Sequence, residues 1–558
     1  MTQTGNKNQL KRLPFCFLFF FCSFLTHSQS SITPKGSSKK ILVKHATVLA
    51  FDQKIGEGAQ RLIGDVRFQQ DNTLMFCDSA YLYKNNSRDA FGQVRIQQGD
   101  RLTMTGDLLK YDGNEKKALI SKNVIVNKGD MQLTTDELNY DANTSVGYYV
   151  TPARIVNKDN ILTSNTGYFL SKTNDLTFKN NVVLTNPQFV INCDTMRYNT
   201  SSKITYFSGP TTIKSKSNMI YAEDGYYDTF KDQSRFSKNS YILTKEQKMY
   251  GDSLYYDRKK GIGRAIKNVQ IIDTAQNLNI KGDFALHNEF IDQSVVTGKA
   301  LLTQIYEKDT LYLHADTLKA IGNNPIKKKE DPKDPKARAE KPAAKQKMIA
   351  KLVRMKIVNN DTTYIYDTVP ESSQQLFAYA HVKFYKGDLQ GKCDSMYYST
   401  SDSTMRLFGN PTLWSDENQL TGDSIKVLTG SKSIKLIELK GSAFMVSAED
   451  SLRYDQIRGK IMKGYFQKNK LYLINVEGNG QTIYFVKEKK QIKAINRADC
   501  SDLRVYLKNN KVDKIVFITK PDATLFPLSE VNVNEMKLKD FKWRASERPE
   551  SAEDIFKW

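Results

Sequence analysis

Gly106-Asp107-Leu108-Leu109-Lys110-Tyr111, Cys193-Asp194-Thr195-Met196-Arg197-Tyr198 and Gly251-Asp252-Ser253-Leu254-Tyr255-Tyr256 are copies of one short pattern, a small residue and Asp followed by apolar and aromatic positions. Variants stand at Cys77-Asp78, Thr135-Asp136, Ser164-Asn165, Gly282-Asp283, Ala315-Asp316, Cys393-Asp394 and Gly422-Asp423. From 78 through 107, 136 and 165 to 194 each step is 29 residues, and 394 to 423 is 29 again. A fixed period of this length marks a stacked repeat.

Between these copies run alternating pairs: Val94 and Ile96, Val124 and Val126, Val182 and Leu184, Val269 and Ile271. Each pair follows a Gly, Asn or Gln that reads as a bend, and alternation with period two means half-buried strands. Turn dipeptides such as Gly99-Asp100, Asp112-Gly113 and Lys128-Gly129 separate the runs. Each repeat therefore predicts two strands, and parity predicts that they bend. Leu102 and Met104 share a face, as do Leu109 and Tyr111, but the two sets are an odd number of residues apart. A straight strand would send them to opposite faces, whereas a bulge at Gly106-Asp107 returns both to one side. The same holds for Met131 and Leu133 with Leu138 and Tyr140, and for Phe189 and Ile191 with Met196 and Tyr198. The repeated Asp then reads as corner chemistry, its carboxylate accepting local backbone N–H bonds, and not as a catalytic group.

The 558-residue chain carries a formal charge of +22. Such a surplus suits an anionic partner, although many of the lysines fit an ordinary solvated β-surface equally well. Residues 1–30 read as a signal peptide: Lys11 and Arg12, an apolar run from Leu13 to Leu25 too short for a comfortable membrane span, then small residues at Ser28 and Ser30. Export argues against nucleic acid. The repeats divide into regions 41–320 and 361–518. Between them, 321–360 is Lys-, Pro- and Ala-rich and reads as a disordered insertion. Residues 519–558 lose the repeat, and Val531 to Trp543 reads as a short helix or a cover for a sheet edge.

No enzyme, metal or cofactor signature stands out. His45, His287, His314 and His381 lack zinc-ligand spacing, and neither a phosphate loop nor a nucleophile elbow is present. Cys77 and Cys193 lie four repeats apart, about 19–38 Å at the spacing of stacked strands. A disulfide spans only about 7 Å between Cα atoms. Reduced, buried thiols are expected at these corners and at Cys393, with Cys500 left open. The triplets Asp78-Ser79-Ala80, Asp194-Thr195-Met196, Asp252-Ser253-Leu254, Asp316-Thr317-Leu318, Asp394-Ser395-Met396, Asp423-Ser424-Ile425 and Asp450-Ser451-Leu452 resemble an O-glycosylation signal of exported bacterial proteins. Ordinary turn composition explains them as well.

The ensemble of corners and alternating pairs, as in Lys122-Asn123-Val124-Ile125-Val126 followed by Leu133-Thr134-Thr135-Asp136-Glu137-Leu138-Asn139-Tyr140, resembles the OstA/LptA lipopolysaccharide-transport family. The likeness runs over Ile41 to Ala320 and Gln375 to Tyr454. It implies an all-β fold, an elongated open β-jellyroll built from a folded antiparallel sheet. It implies a non-enzymatic periplasmic carrier, associated with the outer membrane, that shields the acyl chains of lipopolysaccharide (lipid A) in an apolar groove, with basic residues near the rim meeting the lipid's phosphates. Its partners would be other Lpt-type envelope proteins, joined through sheet edges, and further copies of itself. The groove-facing set expected from parity is Leu102, Met104, Leu109, Tyr111, Val124, Val126, Leu133, Leu138, Tyr140, Ile191, Met196 and Tyr198. The chain departs from the family in its length, its insertion and its lack of a following barrel domain. A structural or adhesive envelope solenoid and a β-helix enzyme acting on polysaccharide are the rival readings. The enzyme should interrupt the repeat with one cluster of acids or bases, and none is seen. The strands are too polar for a lipid-facing barrel.

Overall fold

The computed structural model describes residues 41–558 apart from 52–58, 323–347, 371–373 and the turn positions 71, 100–101, 171, 217, 245–246, 275–276, 307–308, 359–360, 431–432, 469, 489–490 and 509–510. The signal peptide expected over 1–30 lies outside these residues. The chain forms two compact units, Met1–Lys260 and Gly261–Trp558.

Within each unit consecutive strands pair antiparallel, and most are 10 to 13 residues long with a bend in the middle. Strand Leu102–Asp112 shows how the bend is made. Against Lys117–Lys128 its ladder runs to Thr105 opposite Ile125, then resumes with Leu108 opposite Ser121. Three residues on one strand face two on the other, and the excess residue turns the sheet. Lys122 and Asn123 absorb the turn in the left-handed region, at φ 62° and 54°. The same consecutive left-handed pair recurs at Gly92-Gln93, Asn180-Asn181 and Lys238-Asn239 in the first unit, and at Lys267-Asn268, Gly298-Lys299, Ala380-His381 and Gly441-Ser442 in the second. Gly and Asn tolerate this region best, which explains the Gly/Asn signature ahead of each Val-x-Val pair.

The corner thus falls where parity placed it, but with a different division of labour. The Asp strand does not make the turn; its neighbour does, and the Asp side chain lies across the neighbour's turn. Asn123 Nδ2 donates to Asp107 Oδ2 at 2.7 Å, and His381 Nδ1 lies 2.8 Å from Asp316 Oδ2. Where the neighbour supplies Gly, the carboxylate takes the space a side chain would fill. A Cβ on Gly209 would stand 2.9 Å from Asp194 Cβ, and one on Gly92 would overlap the Asp78 carboxylate. Glu223 plays the same part, accepting from Asn239 Nδ2 at 2.8 Å. It stands 29 residues after Asp194 and 29 before Asp252, a repeat position hidden by the change of residue.

A second row of polar side chains holds the hairpin turns at the far ends of the strands. Asp112, Asp141, Asn199 and Asp228 each accept from backbone N–H groups two and three residues on, at 2.8 to 3.3 Å. Successive turns are also linked: Thr200 N donates to Asn174 O, Thr229 N to Lys203 O and Arg258 N to Asp232 O, all at 2.9 to 3.0 Å. Every backbone group must find a partner, and this ladder satisfies turns that a simple hairpin would leave to water.

Irregular repeats keep the architecture with interrupted strands. In the first unit Val146–Tyr149 and Ala153–Asn157 are separated around Pro152, which has no N–H to give the ladder. The insertion expected over 321–360 needs correction at its end. Met348–Val358 is a strand paired with Asp361–Pro370, a separate two-stranded hairpin. The alternating Val353, Met355 and Ile357 supply an apolar strand pattern that the Lys/Pro composition upstream obscured.

Residues after Lys520 also do more than trail. Asp522–Pro527 adds an edge strand against Gln491–Lys508. Leu528 to Trp558 then forms no α-helix, only short 3-10 turns, and covers a sheet face. Leu538 is buried among Phe444, Val446, Ile483, Phe485 and Ile495, with Phe541 and Trp543 packed beside them. Register places these strand residues on the face opposite Leu420, Met445 and Ile457. Gln456 and Gln419 fasten the cover by bonding its backbone: Gln456 Oε1 accepts from Leu538 N at 2.8 Å and Gln419 Nε2 donates to Lys542 O at 2.7 Å.

Candidate functional site: the apolar inner face

Cross-strand partners share a face, so the register defines the inner lining. In the first unit Leu102, Leu109, Val124, Val126, Leu133, Ile191, Met196 and Tyr198 are all buried, on both sides of the corner. Ile191 and Met196 have no exposed surface at all, and Val124 and Tyr198 keep about 1%. Met104, Tyr111 and Leu138 are half-buried, and Tyr140 is 47% exposed. The twelve expected residues therefore form one face but divide into a packed core and an accessible fringe.

Further along the first unit the inner face is more open. Ile220 pairs with Ile242, and Ile242 with Met249, and all three are half-buried. In the second unit Ile271 and Ile280 pair in the same way and are also half-buried. Sequence reasoning missed Ile220 and Ile242 because their corner carries Ala222-Glu223 in place of Gly-Asp. The second unit closes down further on: Leu420, Ile437, Leu439, Met462, Phe466 and Ile474 surround a void of only about 10 Å³.

The described cysteines, Cys77, Cys193, Cys393 and Cys500, are free and buried. Burial first, and the adjacent Asp second, push the thiols of Cys77, Cys193 and Cys393 up to about 12. They are small apolar packing groups at equivalent corners. His314 and His381 lie near each other and His381 contacts Asp316, but among the described residues no group of three or more His, Cys, Asp or Glu could hold a metal. The hydroxyls of the Asp-Ser/Thr triplets are half-buried at the corners, except Ser451, which is exposed in a turn between Ile434–Ala448 and Tyr454–Gln467 rather than at a corner. Among the described residues no helix is long and apolar enough to cross a membrane.

A sheet that folds along a line of left-handed residues, with apolar side chains inside both halves, is an open β-jellyroll of stacked repeats. Two sequence families match it: the OstA-like protein family over residues 38–194, and the LptA/(LptD N-terminal domain) LPS transport protein family over residues 279–433. Over these two stretches the chain is similar to the OstA/LptA-like lipopolysaccharide-transport families. Among solved structures it is similar to LptH of Pseudomonas aeruginosa, described as the LptA homologous periplasmic component of the conserved lipopolysaccharide transport device. That match has 17% identity, covers 19% of this chain and 81% of that chain, and has a TM-score of 0.18. No curated protein sequence matches the chain.

Proposed function

We propose that the chain is a non-enzymatic periplasmic carrier of lipopolysaccharide, and that acyl chains lie along the accessible part of its inner face. The observation that carries this reading is the run of half-buried apolar side chains Met104, Leu138, Ile220, Ile242 and Met249, all turned inward in a fold of the transport family. An acyl chain in water costs about 0.8 kcal/mol per exposed CH₂, so a multi-chain lipid needs such a shelter to cross an aqueous space. A folded sheet gives shelter continuously and lets the lipid slide. The near-complete burial of Ile191, Met196 and Tyr198 favours the rival reading, a structural solenoid with a packed interior. Lipid would then have to enter where the lining is not closed.

The edges suit assembly with other envelope components. The first strands, Leu42–His45 and Val48–Phe51, expose Leu42, Val43, Val48, Leu49 and Phe51, and an edge strand of this kind templates pairing with another sheet. Photocrosslinking side chains at Met104, Ile220 and Met249 should capture lipopolysaccharide in envelopes, while Thr103 and Tyr221, on the opposite face, should not. Equal capture from both faces would remove the inner face as the lipid site.

A further inference from the structure

A cation sits inside the apolar lining of the first unit. Arg88 begins strand Arg88–Gln98, opposite Leu82 on one neighbour and Tyr111 on the other. Two residues along, Ala90 is fully buried between Ala80 and Leu109, so Arg88 turns to the same inner side. Its Nη1 donates to the Asn86 carbonyl at 3.3 Å, and its Nε is buried with no hydrogen-bond partner among the described residues. The adjacent Asp89 points to the other face, where Tyr83 Oη donates to it at 3.1 Å. Burial lowers the pKa of the guanidinium, but arginine stays charged in proteins. The position is also the rim, next to the turn that follows Leu82. Lys128, opposite Leu102 and Met131, is a second inward cation and has interactions of its own.

A charged fork with an idle donor, half sunk in apolar side chains at the end of a strand, suits an amphiphile whose anionic head stays at the rim while its chains run inward. We propose that Arg88 receives a phosphate group of the bound glycolipid, placing the head beside Tyr111 and the acyl chains along Met104 and Leu138. This rests on the carrier reading above. Guanidinium and phosphate match as parallel N–H···O donors and acceptors, and the partly dry surroundings strengthen the pair.

The test uses the full mature chain, with lipid A bearing its phosphate monoesters and the same lipid dephosphorylated, each displacing a fluorescent fatty acid. The wild type should prefer the phosphorylated lipid by about tenfold, the worth of one charge-assisted hydrogen bond. Arg88→Gln should abolish that preference and leave the affinity for dephosphorylated lipid unchanged, and Arg88→Lys should retain part of it. A Gln variant that keeps the preference, or that weakens both lipids alike, overturns the assignment; in the second case Arg88 serves packing only. Displacement of the lipid by millimolar inorganic phosphate alone would make this a free-phosphate site and overturn the lipid assignment. Failure of the wild type to bind either lipid would instead overturn the carrier reading, and this inference with it.

Discussion

Replacing Gly92 by Ala tests how the corner works. Gly92 sits at φ +72°, and a Cβ there would overlap the carboxylate of Asp78 and lie 2.9 Å from its Cβ. The left-handed conformation costs a side-chain-bearing residue about 1–2 kcal/mol. Forcing a methyl into filled space adds about 1–3 kcal/mol. Gly92→Ala should therefore destabilise its hairpin by about 2–5 kcal/mol, while Asp78→Ala alone, at an exposed carboxylate, should cost about 1 kcal/mol or less. In the double variant the carboxylate is gone and only the residue 78 Cβ remains in the way. The combined cost should fall short of the sum by about 1–2 kcal/mol. A long repeat array need not unfold in one step, so a global midpoint is the wrong readout. Denaturant-dependent hydrogen exchange of peptides covering residues 73–98 measures the local opening energy directly. Additive costs, or a Gly92→Ala variant within about 0.5 kcal/mol of wild type, would refute the idea that Asp and the left-handed pair form one packed unit.

Three further outcomes are expected. Asp455 is buried beneath Phe485, whose N–H donates to it at 2.8 Å, and burial, followed by nearby Glu449, raises its pKa. A raised folded pKa means the native state holds the proton more tightly than the unfolded chain does. The stability this confers is present below about pH 4 and is lost as pH rises through the raised value. Thermal unfolding followed by tryptophan fluorescence, which reports Trp414, Trp543 and Trp558 in the second unit, should show decreasing stability with pH in the wild type and a flatter profile in Asp455→Asn. Leu538→Ala should cost about 2–5 kcal/mol by hollowing the patch around Phe444 and Phe485, and should raise the binding of an apolar dye; a neutral outcome would mean the cover is loosely held. Cys77, Cys193 and Cys393 should resist maleimide in the native protein and react fully in denaturant, since thiols held near 12 offer almost no thiolate; rapid native labelling would contradict the burial.

The Asp series and the parity argument made the corner legible because each depends on one residue per repeat and on strand alternation alone. The left-handed pair was less legible, since Lys-Asn, Asn-Asn, Gly-Gln and Ala-His all fill it and only their shared backbone conformation unites them. Glu223 escaped for a related reason: its carboxylate reaches the same Asn with one more methylene. Parity assigned the inner face, but it cannot tell a buried Ile191 from an accessible Ile220. That difference depends on how closely the two half-sheets approach, which is set by many side chains together. The cover over the second unit left a trace in Ala443-Phe444-Met445-Val446, where apolar residues occupy both faces of a strand and are buried on both. Such a run marks a strand covered on each side, although nothing in it identifies Leu538 as the covering residue.

The carrier claim is tested most directly by native mass spectrometry of the mature protein extracted from envelopes under mild conditions. The expected spectrum contains a complex heavier than the polypeptide by the mass of lipopolysaccharide, which is lost when Ile220, Ile242 and Met249 are replaced together by Asp. Only the bare polypeptide in every preparation, or a lipid adduct indifferent to those substitutions, would contradict carriage along the inner face.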